Sequence, residues 1–448
     1  MKQHILILGA GRSSGSLINY LGKWTKKSPI SLTVADLDLD LVRKKTIDYP
    51  HIQVVKINIS DAVHMENLII DATIVVSMLP HLFHLKVAKL CLKHSKHMLT
   101  ASYAKHEIKV LNKKAKEKNL VFLFELGADP GIDHLSACRI IENIKNKDGK
   151  IHSFKSFTGA LMSLKDELDN PWKYKFTWNP KNVVIAGQGE MARYRENKLT
   201  YYVPYPRLFS KLWSFDLPNV GSYEAYANRN SLDYSKHYKI DGVPTIIRGT
   251  LRRPGFCEAW YALALLGATE NITKINIPTD YTYKDFFLKL TDSADTFSNK
   301  HIFEQLIRTS LSKEAWEKIQ YLELDSEKII PYGTYTAAEI LEKILLEKWK
   351  LNEQDKDMLL MYHEVEYTID HKHYQHTSLM SLEGKDVYHT AISDTVGLPL
   401  AMGVKLLATG KIKETGVILP FHSEIYIPIL NELSEFGITF IENETEIK

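Results

Sequence analysis

The sequence predicts an α/β protein in which a doubly wound parallel sheet is joined to an α+β domain and a helical insertion. Short apolar strands alternate with helical patterns over residues 1–128, as successive βαβ units require. After Gly131 the pattern changes, and aromatic residues, proline and glycine become frequent. Helical patterns then dominate residues 271–357.

The apolar runs of the first part are continuous, which is typical of strands buried on both faces of a parallel sheet. Predicted strands there are Ile5–Leu8, Leu32–Ala35, Gln53–Ile57, Thr73–Leu79, Met98–Ala101 and Leu120–Phe124. Helical patterns between them predict helices at Ser16–Leu21, Leu82–Leu92 and Glu107–Lys118. Later in the chain we predict helices at Thr336–Lys350 and from Thr395 to a cap at Gly410, with a strand at Met358–Ile369 between them.

The composition is that of an ordinary globular protein, with 44% hydrophobic and 25% charged residues among 448. Lysine plus arginine (57) nearly balances aspartate plus glutamate (54), so no overall field favours nucleic acid or a membrane as partner. Three separated cysteines, Cys91, Cys138 and Cys257, argue against a disulfide framework, so we predict a cytoplasmic protein. The first apolar run ends at Gly11 and is too short for a signal peptide.

The stretch "LGAGRSSGSL" follows the first predicted strand and opens the first predicted helix. Gly9 allows a tight turn there, and Gly11 lets the backbone approach a pyrophosphate that the amide groups of the helix start then face. The spacing is unusual, because Ser14 stands at the place of the third glycine and Gly15 follows it. The stretch predicts a Rossmann-type dinucleotide site, and a plain glycine turn is the alternative.

Asp36 ends the second predicted strand. A carboxylate at that point can accept hydrogen bonds from both ribose hydroxyls of NAD. The same charge would repel the 2′-phosphate of NADP, so the sequence favours NAD over NADP as the cofactor. The alternative is that Asp36 caps the next helix, in "DLDLD".

One predicted helix is surrounded by side chains that could bind a metal: His81, His84, Cys91, His94 and His97. Residues three apart share a helix face, as metal ligands require, but no matching Cys or His pair elsewhere supports a site. We therefore interpret these residues as a solvated helix face and predict no metal.

The stretch "ELGADPGIDH" (residues 125–134) holds more ionisable side chains than a turn needs. Asp133 and His134 precede the helical pattern "LSACRII", so Asp133 or Gly131 is a candidate cap rather than a metal ligand. His134 is a weaker candidate for an acid–base group, because its place at the helix start directs it to the cap. Asp129 lies at the carboxyl edge of the sheet, where open α/β sheets bind their ligands.

Four arginines fall in "NRNSLDY" and "RGTLRRPGF": Arg229, Arg248, Arg252 and Arg253. The guanidinium fork donates two parallel hydrogen bonds to a carboxylate, so a pair of such arginines indicates a substrate with more than one carboxylate. Taken singly, each arginine is more often a surface or structural residue.

The chain resembles the saccharopine dehydrogenases of the L-glutamate-forming type, also called saccharopine reductases. The resemblance runs nearly end to end and rests on the stretches "LGAGRSSGSLINYL", "VVSMLPHLFH", "LTASYAKHE", "ELGADPGIDHLSA", "DNPWKYKFTW", "ANRNSLDY", "RGTLRRPGFCEAW" and "TVGLPLAMGVKLLATGKI". The central and C-terminal stretches are more specific than the glycine loop.

The resemblance implies a split dinucleotide-binding (Rossmann) domain formed by residues 1–128 and 391–448. It implies an α+β domain for substrate and dimerisation, formed by residues 129–270 and 358–390, and a helical insertion at 271–357. Members of the family are commonly homodimers, so a homodimer is expected.

The resemblance also implies oxidation of saccharopine to L-glutamate and 2-aminoadipate 6-semialdehyde, a reaction of lysine metabolism in which a hydride passes to the nicotinamide. The implied cofactor contacts are Gly9, Gly11, Arg12, Ser13, Ser14, Asp36, Asn58, Ile59, Leu79, Pro80, Ala128, Asp129, Pro130 and Asn179. The implied substrate contacts are Ser102, Tyr103, Asp129, Arg229, Thr250, Leu251 and Arg252.

The chain departs from the family pattern at Ala128, which replaces Leu, and at Thr158, which replaces Cys. A backbone contact survives at Ala128, whereas Thr158 removes any acid–base role of that thiol. Asn230 replaces Asp, and Arg253 stands where the family's "TLRY" has Tyr. Because these two lie near expected substrate residues, a related imino or carboxyalkyl-polyamine substrate is the alternative.

The implied reaction needs one group to take the amine proton and one to activate water. Asp129 and Tyr103 are the predicted catalytic residues, and the alternative is that Asp129 only holds the substrate ammonium. Two other functions stay open on the sequence: a dehydrogenase of the same fold acting on another C–N bond, such as that of carboxynorspermidine, and a non-catalytic nucleotide-binding sensor.

Overall fold

The computed structural model describes residues 3–163, 170–292, 311–387 and 389–447. The chain divides into two compact units. The first comprises Met1–Lys150 with Leu379–Glu442, and the second comprises Ile151–Ser378 with Asn443–Lys448. Each unit is therefore built from two segments that are distant in sequence.

Strands and helices alternate in the first part of the chain, and strands predominate after it. The strands of the described residues are β1 (His4–Leu8), β2 (Ser31–Asp36), β3 (Gln53–Lys56), β4 (Ile74–Ser77), β5 (His97–Leu99), β6 (Val121–Leu123), β7 (Lys150–Met162), β8 (Ala192–Glu196), β9 (Leu199–Val203), β10 (Leu212–Leu217), β11 (Gly221–Ala227), β12 (Thr245–Arg252), β13 (Ile275–Ile277), β14 (Gly333–Tyr335), β15 (Asp357–Ile369), β16 (Lys372–Glu383), β17 (Gly416–Ile418) and β18 (Ile441–Ile447). The helices are α1 (Gly15–Thr25), α2 (Leu39–Lys45), α3 (Ala62–Asp71), α4 (His84–Lys93), α5 (His106–Lys109), α6 (Asn112–Glu117), α7 (Ile132–Lys145), α8 (Pro180–Val184), α9 (Tyr234–His237), α10 (Phe256–Leu265), α11 (Tyr283–Asp292), α12 (Lys313–Tyr321), α13 (Ala337–Lys348), α14 (Ala391–Ala408) and α15 (Ser423–Ser434).

The sheet of the first unit has seven strands in the order β17-β6-β5-β4-β1-β2-β3, and all neighbouring pairs are parallel. Strand β1 lies between β4 and β2, and its residues Ile5–Leu8 are completely buried. The predicted doubly wound parallel sheet is therefore confirmed. Because the strands are parallel, the loops that follow β1 to β6 leave the same edge of the sheet.

Several predicted elements of the first unit have different ends in the structure. The predicted helix Glu107–Lys118 is two short helices, α5 and α6. The predicted strand Thr73–Leu79 ends at Ser77, because Pro80 already begins a 3₁₀ turn and proline cannot continue the ladder. Helix α3 was not predicted, and α2 is the helix expected after Asp36, for which no bounds were predicted. Each is capped by an aspartate side chain, Asp38 in α2 and Asp61 in α3.

The C-terminal segment completes the first unit. Strand β17 pairs with β6, and α14 packs against the start of α1. A Cβ atom on Gly397 of α14 would lie 2.7 Å from the amide nitrogen of Leu17, so only glycine permits this approach. Helix α14 is long and apolar enough to cross a membrane, but most of it is buried inside the structure, as in the core helix of a globular domain.

A nine-stranded mixed sheet organises the second unit, in the order β10-β11-β12-β7-β15-β16-β18, with β8 joined to β12 and to β9. Strand β12 is antiparallel to β11 and parallel to β7. Thr250 of β12 therefore lies between Tyr226 and Thr158. This register places the stretch "GTLRR" in the interior of the sheet.

Aromatic side chains form the core of the second unit. The ring centroids of Trp172 and Trp349 are 5.2 Å apart, and Trp260 lies 6.0 Å from each of them. Phe256 stacks on Trp260 at 5.6 Å. Large rings at these separations supply apolar area together with favourable ring–ring electrostatics.

The predicted helical insertion contains α11, α12 and α13, with a small sheet of β13 and β14. Helix α13 begins with a capping box between Thr336 and Glu339. Residues 293–310 of this prediction, like Asp169 of the stretch "DNPWKYKFTW", lie outside the described residues. Helix α7 belongs to the first unit, although the expected boundary at residue 129 placed it in the second domain.

Candidate active site

The glycine loop joins the end of β1 to the start of α1. Gly9 has φ +100°, and a Cβ atom there would lie 3.0 Å from the backbone of Met78. Gly11 precedes the 3₁₀ turn Arg12–Ser14, and a Cβ atom on it would meet nothing within 4 Å. The loop thus combines a turn that requires glycine with open space beside a helix start, an arrangement that fits the pyrophosphate of a dinucleotide.

Lys45 lies beside this loop, although no sequence motif pointed to it. Its Nζ donates to the carbonyl of Gly11 at 2.5 Å and to Oγ of Ser14 at 3.2 Å. Burial lowers the pKa of Lys45 to about 8, against the opposing effect of the Asp36 charge. Lys45 therefore brings a cation that titrates near neutral pH next to the glycine loop.

Asp36 is tied to the backbone on both sides. Its Oδ2 accepts a hydrogen bond from the amide of Ala10 at 2.6 Å, and its Oδ1 accepts one from the amide of Asp38 at 3.0 Å. It is Asp38, not Asp36, that caps helix α2 through the amide of Leu41. The carboxylate of Asp36 thus connects the end of β2 to the glycine loop.

The loops after β3 and β4 contribute the next group of expected cofactor residues. Asn58 is exposed, and its side chain accepts from the amide of Ser60 at 3.0 Å. The carbonyl of Ile59 accepts from Lys86 at 3.2 Å. Leu79 and Pro80 follow β4 at the same sheet edge. These residues line up along the carboxyl ends of neighbouring strands with the glycine loop.

Tyr103 and Asp129 meet at the ends of β5 and β6. The hydroxyl of Tyr103 donates to Oδ1 of Asp129 at 2.8 Å, and both side chains are partly exposed. Ala128 and Pro130, expected to contact the cofactor, flank Asp129 and are buried. A phenol paired with a carboxylate can hold a cationic amine or exchange a proton with it.

The turn behind Asp129 is held by buried ionisable side chains. Glu125, Asp133 and His134 are all at most 2% exposed. The Nε2 atom of His134 lies 3.1 Å from Glu125 Oε2, and its Nδ1 lies 3.4 Å from Asp133 Oδ2. The ring of His134 thus faces Asp133, one of the two expected cap residues, and also faces Glu125. Gly131 is the cap residue, and its amide donates to Asp133 Oδ1 at 2.6 Å.

Glu125 also holds the segment that carries Tyr103. Its backbone amide donates to the carbonyl of Ser102 at 3.0 Å, and its Oε1 accepts from the amide of Ala104 at 3.1 Å. Both contacts join residues more than twenty positions apart, so the local sequence pattern did not reveal them. Glu125 therefore fixes the backbone on both sides of Tyr103.

His84 lies at the same edge, at the start of α4. Its Nδ1 is 2.9 Å from Oγ of Ser77, and its Nε2 is 2.8 Å from Oγ of Ser102. His84 is only 3% exposed and Cys91 is fully buried, so the solvated-face interpretation was wrong for both. Burial, assisted by the charges of His81 and Lys105, lowers the pKa of His84 to about 4.

The other histidines of that group do not gather around one point. His94 pairs with Glu66 at 2.6 Å, and His97 accepts from the amide of Val121 at 3.0 Å. Within residues 3–163, 170–292, 311–387 and 389–447, no group of three or more His, Cys, Asp or Glu side chains is arranged to hold a metal ion.

Arg252 is the most informative arginine of the second unit. It is 4% exposed, and its guanidinium carbon lies 5.1 Å from the ring centre of Phe256 and 5.4 Å from that of Tyr174. Burial acts to lower the pKa of Arg252, but Tyr226 and Tyr174 outweigh it and the pKa is raised. Its Nε has no hydrogen-bond partner among the described residues. A buried guanidinium in an aromatic surrounding is suited to receive an anion.

The neighbouring arginines differ in their surroundings. Arg248 lies over the ring of Tyr234 at 4.4 Å and Arg253 over that of Tyr223 at 4.6 Å, and both are buried. Arg229 is exposed, with φ +52° and its carbonyl accepting from the amide of Arg193. Of the two general roles expected for a single arginine, surface or structural, Arg229 fits the first and the buried Arg248 and Arg253 are compatible with the second.

The remaining expected residues also lie in the second unit. Thr250 and Leu251 precede Arg252 on β12, and Thr158, where the family carries Cys, lies beside Thr250 on β7. Asn179 caps α8 by accepting from the amide of Asn182 at 3.2 Å. All other expected cofactor residues belong to the first unit.

Two family models match the chain. The one described as saccharopine dehydrogenase NADP binding domain matches residues 5–123, and the one described as saccharopine dehydrogenase C-terminal domain matches residues 127–438. The chain belongs to the saccharopine dehydrogenase family. The resemblance inferred from the sequence motifs is thus confirmed.

Named relatives and a solved structure agree with this assignment. The chain is 32% identical to the alpha-aminoadipic semialdehyde synthase of Arabidopsis thaliana, over 98% of this chain and 45% of that protein. It therefore spans about half the length of that relative. It is 28% identical to the saccharopine dehydrogenase (NADP(+), L-glutamate-forming) of Pyricularia oryzae, over 97% of both chains. The apo saccharopine dehydrogenase (L-Glu forming) of Saccharomyces cerevisiae superposes with a TM-score of 0.82 at 25% identity, covering 99% of this chain and 100% of that one.

The expectation of NAD as the cofactor was wrong. The matched first domain is described as NADP binding, and the P. oryzae relative is named as an NADP(+) enzyme. The structure supplies a physical reason, because the carboxylate of Asp36 already accepts hydrogen bonds from the amides of Ala10 and Asp38. The position of Asp36 is therefore explained by the backbone, and its charge alone did not justify excluding a 2′-phosphate.

Proposed function

We propose that this member of the saccharopine dehydrogenase family oxidises saccharopine to L-glutamate and 2-aminoadipate 6-semialdehyde with NADP⁺. When bound, NADP⁺ accepts a hydride from the carbon next to the secondary amine. Loss of the hydride from the neutral amine, followed by loss of the remaining N–H proton, leaves an imine. Addition of one water gives a carbinolamine, which collapses to the aldehyde and the amine of glutamate.

The observation that carries this proposal is the environment of Arg252. Its guanidinium is buried among Phe256, Tyr174 and Tyr226, and its Nε is unpaired within the described part of the chain. Leaving a buried donor unpaired is costly, so a carboxylate that arrives here gains a charge-assisted hydrogen bond and removes that cost. Saccharopine carries three carboxylates, which suits a unit with several arginines.

Tyr103 and Asp129 are suited to the amine of the substrate. A secondary amine is protonated at neutral pH and must lose that proton before a hydride can leave the adjacent carbon. Asp129 offers a carboxylate at the open sheet edge, and the hydrogen bond from Tyr103 fixes one of its oxygens. We assign Asp129 to hold the ammonium and accept its proton, and Tyr103 to orient Asp129.

The cofactor is assigned to the glycine loop and the neighbouring loops of the first unit. Gly9 and Gly11 leave space for the pyrophosphate, and the amides of Arg12–Ser14 supply donors at the helix start. Lys45 supplies a cation next to this loop, which favours a phosphorylated ribose over a plain one. The expected contacts of Asn58, Ile59, Leu79 and Pro80 extend this site along the sheet edge.

We further propose that the protein is a homodimer in the cytoplasm. Homodimers are common in the family, which supports the dimer. The three separated cysteines are buried and form no disulfide with one another, which supports a reducing compartment. Light scattering of the purified protein during size-exclusion chromatography tests the dimer. A mass equal to one chain of 51.4 kDa would exclude it.

The test of the proposed function is a steady-state assay of reduced-cofactor absorbance with saccharopine. We expect turnover with NADP⁺, a higher kcat/KM for NADP⁺ than for NAD⁺, and L-glutamate as a product identified by mass spectrometry. Asp129→Asn should remove most of this turnover while leaving NADP⁺ binding measurable by fluorescence titration. Absence of turnover with both cofactors, in protein that binds NADP⁺, would exclude the proposed function.

A further inference from the structure

His84 bridges two serine hydroxyls at the edge of the first-unit sheet. Ser77 is the last residue of β4, and Ser102 lies in the loop after β5, so the imidazole connects the ends of two neighbouring strands. The ring of Phe124 meets it edge-on at 6.5 Å. An imidazole that is buried and hydrogen-bonded at both nitrogens has one orientation, and it therefore orients the two hydroxyls that it contacts.

The surroundings define which nitrogen carries the hydrogen. Thr100 donates its single hydroxyl hydrogen to the carbonyl of Ser77 at 2.8 Å, and the amide of Ser102 donates to Thr100 Oγ1 at 3.3 Å. Thr100 Oγ1 therefore turns a lone pair toward Nε2 of His84, which lies 3.5 Å away. A hydrogen on Nε2 satisfies this arrangement, and Nδ1 then accepts the hydrogen of Ser77.

The consequence falls on Ser102. Its Oγ accepts from Nε2 of His84, so its own hydrogen stays available to donate. Within the described part of the chain, that oxygen has no second partner, and the side chain is partly exposed. The group that completes this hydrogen bond must be an acceptor, and a carboxylate oxygen is the acceptor that a substrate of this kind presents.

We infer that His84 is a positioning residue that fixes the hydroxyl of Ser102 as a hydrogen-bond donor toward a substrate carboxylate. This rests on the proposed function, because the acceptor is taken to belong to saccharopine. His84 itself does not reach the substrate. Its pKa, lowered to about 4 mainly by burial, keeps the ring neutral at the working pH, as a bridge between a donor and an acceptor requires.

The kinetic test compares His84→Phe, His84→Gln and Ser102→Ala. We expect His84→Phe and Ser102→Ala each to raise the KM for saccharopine about tenfold, the value for one lost hydrogen bond to a charged group. His84→Gln can still donate from its side-chain amide and should recover part of the loss. The double variant His84→Phe/Ser102→Ala should be no worse than Ser102→Ala, and the KM for NADP⁺ should not change.

A purely structural His84 would give a different result. The effects of His84→Phe and Ser102→Ala would then add, and the KM for NADP⁺ would rise together with that for saccharopine. Either outcome overturns the inference.

A second measurement does not depend on activity, and it uses a variant only to identify one signal. Nitrogen NMR of wild-type protein labelled at histidine, with the His84 signal identified by its loss in His84→Gln, reports the tautomer. A hydrogen on Nε2 supports the inference, and a hydrogen on Nδ1 overturns it. If wild-type protein does not oxidise saccharopine, the proposed function fails while the tautomer still decides whether Ser102 is a donor.

Discussion

Tyr103 donates its phenolic hydrogen to Oδ1 of Asp129 at 2.8 Å, and this hydrogen bond joins the ends of two neighbouring parallel strands. The pair lies at the sheet edge where the cofactor loops also end. Glu125 holds the backbone of Ser102 and Ala104 on either side of Tyr103. The hydroxyl of Tyr103 is thus aimed by contacts that are separate from Asp129, which gives the pair a fixed geometry before any ligand binds.

Removing either member should affect the rate more than the binding. Asp129→Asn loses the proton acceptor, and we expect kcat to fall about 10²–10⁴-fold, the usual contribution of a positioned acid–base group. Tyr103→Phe loses only the orientation of Asp129 and should cost less. Tyr202→Phe, which changes an exposed tyrosine, is the matched control. If kcat is unchanged in Asp129→Asn and only KM rises, Asp129 binds the ammonium and another group takes the proton.

Arg252 should determine substrate affinity. Arg252→Lys keeps the charge but loses the planar fork, and we expect the KM for saccharopine to rise at least about tenfold, as for other lost charged hydrogen bonds. Arg207→Lys, at an exposed position, is the control. Isothermal titration with saccharopine in the presence of NADPH, which cannot accept a hydride, measures the loss of affinity without turnover. Equal affinities of Arg252→Lys and the wild type would show that no carboxylate binds at this guanidinium.

Lys45 should make NADP⁺ binding depend on pH. Its pKa of about 8 means that the ammonium charge is present below pH 8 and is lost as the pH rises through that value. The affinity for NADP⁺ should therefore fall above pH 8, and Lys45→Met should lower the affinity below pH 8 and abolish this dependence. Lys44→Met, at an exposed neighbour, should keep it. Fluorescence titrations with NADP⁺ and NAD⁺ at several pH values measure these affinities. If Lys45→Met lost equal affinity for both cofactors, Lys45 would not contact the 2′-phosphate.

We predict that Asp36 supports the glycine loop and does not select between NADP⁺ and NAD⁺. Asp36→Ala removes the acceptor for the amides of Ala10 and Asp38, so the affinities for NADP⁺ and NAD⁺ should fall together. The ratio of kcat/KM for the two cofactors is the decisive number. A large gain of that ratio in favour of NADP⁺ would mean that the Asp36 charge does read the ribose.

His84 should make the first unit less stable in mild acid. Its pKa is about 4 in the folded protein and about 6.5 in the unfolded chain, so between these values the unfolded chain binds more protons. Stability is therefore lost as the pH falls from about 6.5 toward 4, by roughly 3 kcal/mol for this one group. Thermal unfolding of the wild type and His84→Gln over this range should show a smaller decrease of Tm in the variant. Parallel curves would show that His84 is not the responsible group.

Sequence reasoning succeeded where the determining contacts are local. The strand Ile5–Leu8 and the loop at Gly9 and Gly11 follow from apolar runs and from glycine chemistry within ten residues. Predicted ends were less accurate where a nearby proline or cap decides them, as at Pro80 and Asp38. A lysine-rich pattern also concealed the break between α5 and α6.

The parts of the site that sequence reasoning missed are set by distant contacts. His84 and Ser102 are eighteen positions apart, and Glu125 reaches Ala104 across twenty-one, so neither pair leaves a periodic signal. At Asp36 the opposite error occurred, because a role was assigned that the distant contacts do not require. Its type and place suggested ribose recognition, but the two amides that it accepts from become visible only when the loops are folded together.

The close packing of α14 against α1 at Gly397 affects the order in which parts of the protein can fold during translation. Ser393 Oγ accepts from the amide of Ser16, and Ser16 donates to Asp394, so the start of α1 is held by residues made nearly 380 positions later. Strand β17 reaches the sheet later still. The six N-terminal strands of this sheet must therefore wait, with the edge of β6 uncovered, while residues 151–378 of the second unit are synthesised. Chaperone capture of translation intermediates should concentrate in that interval.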